Sequence, residues 1–259
     1  MSKLSPGDFS GLSADYSKNR PNYSESVLNS LIGLQQTSLE NLVIADIGAG
    51  TGIWTRMIYD LGVGRVDAVE PNTDMRQQGS IDNDKRNIVW SKGTAESTGL
   101  NSDTYDLVSM ASSFHWANFE SATKEFYRIL KPQGRFVALW NPRFIEANPL
   151  LIEIEEKLKV LKPEIIRVSS GRSGITETLT QRLFESQFFE DVIYVEGRHE
   201  IVMSKERYIG AWRSVNDLQV QLGSDLFEEF ISFIERKLLS AESIEATYLT
   251  RAWSARCTK

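Results

Sequence analysis

The sequence predicts an α/β fold: a doubly wound, seven-stranded, mostly parallel sheet with an antiparallel strand at one edge and a helical lid. Three observations carry this. Apolar runs without in/out alternation, such as Val43-Ile44-Ala45 and Val66 to Val69, suit strands covered on both faces. From Leu42 to Asn141 such runs alternate with helical segments, the rhythm of βαβ units with right-handed crossovers. A glycine-rich turn, Gly48-Ala49-Gly50-Thr51-Gly52, follows the first run, and Glu70 ends the second, eighteen residues after Gly52.

Taken in order, residues 24 to 34 form an amphipathic helix with Ser24 as N-cap, preceded by a loop from Phe9 to Tyr23 dense in Tyr, Arg and Pro. Strands are expected near 42–47, 65–70, 87–91, 105–110 and 134–141. Helices fill the gaps: 53–61, stopped by Gly62; 73–78, stopped by Gly79; and 119–130, closed by Lys131-Pro132-Gln133-Gly134. After Asn141 the helices lengthen, at 149–161, 176–186, 205–215 and 224–239. Strands at 192–203 and 247–257 extend the sheet, the helices between them are lid candidates, and Ser169 to Gly174 is a polar, mobile loop. The chain reads as one domain: a cap over 1–40, a cofactor-binding core over 41–142, and acceptor-binding helices with the last two strands over 143–259.

Bulk composition narrows the function. With 259 residues, 41% hydrophobic and 25% charged, the chain can bury a substantial core. No apolar run approaches a bilayer span, and the first residues lack the apolar stretch of a secretory signal, so a cytoplasmic location is expected. One cysteine, Cys257, and two histidines leave no thiolate cluster and little for a metal; no metal is expected. A net charge of −6 without a basic block disfavours nucleic acid as partner and favours a small molecule.

The glycine turn supplies the chemistry. Without Cβ atoms the chain can take positive φ and bring N–H groups close to a ligand, beside the positive end of the following helix. A strand-end carboxylate such as Glu70 accepts hydrogen bonds from both hydroxyls of a ribose. The spacing departs from the dinucleotide fingerprint Gly-x-Gly-x-x-Gly, because Ile53 stands at the third position and Gly52 falls one residue early. Asp46, inside the first strand, repels a diphosphate but suits an ammonium or sulfonium cation.

Asp46-x-Gly48-x-Gly50-x-Gly52 with Glu70 resembles the first motifs of Rossmann-like, class I S-adenosylmethionine-dependent methyltransferases. Gly93-Thr94-Ala95-Glu96, Tyr105-Asp106-Leu107-Val108, Phe114-His115-Trp116 and the run from Phe126 to Phe136 resemble the later motifs in order and spacing. Tyr16, Arg20-Pro21-x-Tyr23 and Trp140-Asn141 resemble the small-molecule branch that includes trans-aconitate methyltransferase-like proteins. The resemblance covers about residues 9 to 142, with a weaker echo from Tyr248 to Trp253. It implies S-adenosyl-L-methionine as cofactor, S-adenosyl-L-homocysteine as product, and roles for particular residues. Gly48, Ala49, Gly50 and Gly52 would pass under the methionine portion, Glu70 hold the ribose, and Pro71 and Asn72 line the adenosine. Thr94, Ala95 and Glu96 would flank the adenine; many relatives have Asp where this chain has the uncharged Thr94. Tyr16 and Arg20 would meet the methionine carboxylate, and Met110 and Ala111 contact its amino group through the backbone.

His115, just past the fourth strand, is the candidate general base; the competing reading makes it a support of the cofactor pocket. Trp116, Trp140, Asn141 and Arg143 are the candidate acceptor contacts, against an ordinary core role for the tryptophans. His199 is expected to face solvent. The function this implies is methyl transfer to an O, N or C atom of a small molecule. The alternatives are a catalytically inactive binding protein of the same shape and an NAD-dependent oxidoreductase.

Overall fold

The computed structural model describes residues 13–166 and 174–259. Seven strands form one sheet: β1 (Val43–Ile47), β2 (Arg65–Val69), β3 (Ile88–Ser91), β4 (Tyr105–Ala111), β5 (Leu130–Trp140), β6 (Phe189–Met203) and β7 (Ile244–Cys257). Their spatial order is β3-β2-β1-β4-β5-β7-β6. The first five run parallel, and β7 pairs antiparallel with both β5 and β6, so antiparallel pairing is confined to that edge. The order reverses at β1, where β2 lies on one side and β4 on the other, and such a switch point opens a crevice at the carboxyl ends of the strands.

Nine helices are seen among the described residues. α1 (Ser13–Asn19), α2 (Glu25–Gly33), α3 (Ile53–Asp60), α4 (Thr73–Asp82) and α5 (Phe119–Ile129) accompany the parallel strands. α6 (Pro149–Leu161), α7 (Ile175–Phe184), α8 (Lys205–Arg213) and α9 (Asn216–Lys237) follow. Caps fix several starts: the side chains of Ser24, Asn72, Asn118, Asn148 and Ser204 each accept a first-turn N–H. In β1, Ile44 joins a core with Leu31 of α2 and Ile58 of α3, whereas Ala45 and Ile47 face Phe126 of α5 and Phe136. That alternation puts both faces of the strand in a core. A third core joins α6, α8 and α9 to the first half of β7 through Leu151, Tyr208, Trp212, Phe230 and Tyr248.

Three local expectations are corrected by packing. Part of the loop expected from Phe9 to Tyr23 is the helix α1; Phe9 to Leu12 lie outside the described residues. α1 rests on α8 because Gly210 leaves room there for the buried Asn19, whose atoms sit 2.4 Å from where a Cβ would stand. α4 does not stop at Gly79 but continues to Asp82. The Trp90 ring of β3 fills the space over Gly79, 2.3 Å from a would-be Cβ, so that glycine admits an aromatic ring instead of ending a helix. α9 begins at Asn216, eight residues before the expected start, and Gly223, with φ 70°, kinks it. Of the loop expected at Ser169 to Gly174, residues up to 173 lie outside the described residues, and Gly174 precedes α7 with φ 71°. No helix among the described residues is long and apolar enough to cross a membrane, and no group of metal-ligating side chains occurs among them.

Candidate cofactor site

A cavity of about 300 Å³ opens at the switch point, over the carboxyl ends of β1, β2 and β4. Its floor is the turn between β1 and α3. Gly48, Gly50 and Gly52 take φ of 64°, 57° and 78°, left-handed conformations costly for residues with a Cβ. Two of them are also crowded: a Cβ on Gly48 would stand 2.8 Å from Ser113 Oγ, and one on Gly52 would stand 2.9 Å from Asn83 and 3.0 Å from Trp90. Gly52 thus performs the close-packing task, and does so against β3 and α4. Gly50 meets only Met75 Cε, at 3.5 Å, so its need for glycine is conformational.

Glu70 ties this turn to the next strand. Its Oε2 accepts from Gly50 N and its Oε1 from Asn72 N, each at 2.8 Å. The carboxyl is largely buried, which raises its pKa, while the two N–H donors pull the other way. Each oxygen keeps a free lone pair toward the cavity it lines.

Asp46 lies beneath the floor and is not part of the wall. It is fully buried, on the face of β1 turned to α3, where it accepts from Thr55 Oγ1 at 2.6 Å and from Ser109 Oγ at 3.1 Å. Burial drives its pKa up to about 7, and the charge on Glu70 adds to the rise. On the β4 side, Ser112 takes φ 55° and its Oγ shares a 2.9 Å hydrogen bond with Tyr23 OH. Burial holds that phenol protonated, its pKa far above the ordinary value. Among the described residues that line the cavity there are two carboxylates, Glu70 and Glu96, and no Lys, Arg or His.

Residues 45–138 match the family model described as a methyltransferase domain. An uncharacterised methyltransferase of Schizosaccharomyces pombe is 27% identical over 253 residues, covering 93% of this chain and 94% of that protein. An uncharacterised methyltransferase of Mycobacterium bovis is 30% identical over 128 residues, 49% of each chain. Among solved structures, a protein of Anaeromyxobacter dehalogenans named as a type II methyltransferase superposes with a TM-score of 0.65 at 18% identity, covering 92% of this chain and 97% of that one. Phosphoethanolamine N-methyltransferase 2 of Haemonchus contortus, solved with S-adenosyl-L-methionine, gives 0.53 at 12% identity over 94% of this chain and 55% of that one. Over residues 45–138 the chain is thus similar to methyltransferase domains, and over most of its length it shares the fold of these structures.

Most residues singled out from the sequence for the cofactor meet on the wall of this cavity. They are Tyr16, the turn residues 48–50, Glu70 with Pro71 and Asn72, Thr94 to Glu96, and Met110 with Ala111. Asp46 and Gly52 stand behind the wall. Arg20 is turned away: its Nε donates to Ser214 Oγ at 2.9 Å, its Nη2 to Ser214 O at 3.1 Å, and its guanidinium lies 4.9 Å from the Tyr16 ring.

The candidate base is also withdrawn from the cavity. Trp140 Nε1 donates to His115 Nδ1 at 3.2 Å, which puts the neutral ring's proton on Nε2 and occupies its basic lone pair. Nε2 is buried without a partner, and burial lowers the His115 pKa to about 4. In this geometry His115 is an acceptor for the indole. Of the acceptor candidates, Trp116 is exposed at the cavity mouth, and its ring stands 4.5 Å from that of His115. Trp140 is 1% exposed and packs edge-on against Trp253 at 5.7 Å, a core residue. Asn141 is engaged by Asn22 O and Thr250 Oγ1, and Arg143 stacks 3.6 Å over Trp212 in the lid core. His199 does not face solvent fully; its ring stacks on Tyr248 and its Nε2 lies 3.2 Å from Asn22 O. Sequence reasoning missed Thr51, Trp54, Met75 and Ser113 as wall residues. The sequence reading gave Trp54 no role, and no local pattern distinguishes a core tryptophan from one whose ring borders a ligand.

Proposed function

We propose that this chain is an S-adenosyl-L-methionine-dependent methyltransferase acting on an O, N or C atom of a small-molecule acceptor. The observation that carries the reading is the convergence of a positive-φ glycine turn and Glu70 on one cavity whose described lining holds carboxylates and no cation. Such a wall repels the diphosphate of a dinucleotide and attracts a ligand bearing ammonium and sulfonium charge. The residues fit that cofactor: the turn admits a ligand against the backbone, and Glu70 has lone pairs for two ribose hydroxyls.

The bound cofactor would supply a methyl group already activated by positive sulfur. The protein's part is then to hold the acceptor in line and exclude water, effects that contribute about 7–11 kcal/mol in favourable systems. Tyr16 and the exposed Trp116 line the cavity and are the side chains offered to an acceptor. Tyr23 stays protonated and the His115 Nδ1 lone pair is taken by Trp140, so neither side chain is offered as a base to the acceptor.

The test is titration calorimetry with S-adenosyl-L-homocysteine and with NAD. Micromolar binding of the first, none of the second, and loss of binding in Gly50→Val are expected. Binding of NAD alone overturns the reading. Transfer of labelled methyl groups into a metabolite extract then separates an active enzyme from an inactive binding protein.

A further inference from the structure

The cofactor proposed above carries a carboxylate, and among the described residues that line the cavity there is no cation for it. Arg20, the sequence's candidate for the task, spends two donors on Ser214 and does not line the wall. Two neutral donors do. Thr51 and Trp54, 1% and 3% exposed, border the cavity, and the Thr51 hydroxyl and Trp54 Nε1 are both buried with no hydrogen-bond partner. An indole N–H can only donate, and leaving it unpaired in the interior is costly, so a buried orphan beside a cavity marks an acceptor that arrives with a ligand.

Their position along the cavity identifies which part of the ligand that is. The sheet order β3-β2-β1-β4 puts Glu70 and the 94–96 turn at one end and the β4 tip at the other. Trp54 lies at the β4 end, since its ring packs edge-on against Tyr23 at 5.3 Å and Tyr23 bonds Ser112. A nucleoside held by Glu70 thus directs its amino-acid arm toward Thr51 and Trp54. α3 begins beside them with Gly52 as N-cap and no side-chain cap on its first-turn N–H groups.

We infer that Trp54 Nε1–H and the Thr51 hydroxyl hold the cofactor's carboxylate, in the place of a cationic side chain. The inference rests on the cofactor reading, and one experiment separates the two. Calorimetry on the full chain compares S-adenosyl-L-homocysteine with methylthioadenosine, which has the same nucleoside and thioether but no carboxylate. Trp54→Phe keeps the ring and removes the donor, and should weaken the first ligand about tenfold or more while leaving the second within about twofold. Thr51→Val, which keeps the branched shape, should act in the same direction and serves if Trp54→Phe does not fold. Equal weakening of both ligands, unchanged binding of both, or a selective loss produced by Arg20→Gln but by neither of these variants overturns the inference. If the unaltered chain binds neither ligand, the cofactor reading itself has failed.

Discussion

Asp46 and His115 are both withdrawn from water, and burial shifts them in opposite directions along the pH scale. The Asp46 carboxyl moves from 3.8 to about 7, so between those values the folded chain holds a proton that the unfolded chain has released. Stability conferred by the protonated form is therefore complete below about pH 4 and is lost as pH rises through about 7. Asp46→Asn carries no such proton. Urea unfolding should show the variant gaining on the parent, by up to about 4 kcal/mol, between pH 4 and pH 8. A difference that stays constant with pH rules this out. For His115 the sign reverses: its folded pKa of about 4 lies below the ordinary 6.5, so the unfolded chain takes up the proton first. Its contribution is whole above about pH 6.5 and disappears as pH falls through 4. Relative to His115→Gln, the parent should lose about 3 kcal/mol of unfolding free energy over that window. The same variant should leave the pH dependence of turnover between 6 and 8 unaltered, because the ring has no free basic lone pair.

Among the elements, α9 shows how one residue joins two helical segments across a kink. Gly223 has φ 70° and ψ 175°, a region open in practice only to glycine, yet nothing stands within 4 Å of a would-be Cβ. Gly223→Ala should thus cost about 1–3 kcal/mol through backbone strain alone, read by chemical denaturation. Gly33, at the end of α2, also has open space but no positive φ, and Gly33→Ala should be neutral or stabilising. Equal effects at the two sites would show that the kink is not what glycine supplies at 223. α4 is the complementary case. Its length was misread because Gly79 looks like a stop, and only the position of Trp90, on a strand paired elsewhere, reveals the glycine as clearance for a ring.

Over the whole molecule, the cavity joins α1, the loop to α2, and the tips of β1, β2 and β4 with the turns beyond them. A ligand that fills it only in the folded state adds stability by mass action: at a hundred times its Kd, about 2.7 kcal/mol. For a chain of 259 residues, S-adenosyl-L-homocysteine at that level should raise Tm by roughly 5–10 °C. Gly50→Val should remove the increment, and scanning calorimetry with and without ligand reads both. A Tm unmoved by saturating ligand contradicts a site confined to the native fold.

The sequence by itself determined the sheet, the β1 to α3 turn and the position of Glu70. These are local matters: strand burial is written in unbroken apolar runs, and positive φ is written in closely spaced glycines. Tertiary structure alone decided where the long polar side chains end. Arg20 turns to Ser214, 194 positions away, His115 accepts from Trp140, and Trp54 meets Tyr23 from another segment. A side chain's partner depends on which distant segment is folded against it. The residues nearest the chemistry are therefore the ones that spacing along the chain describes least.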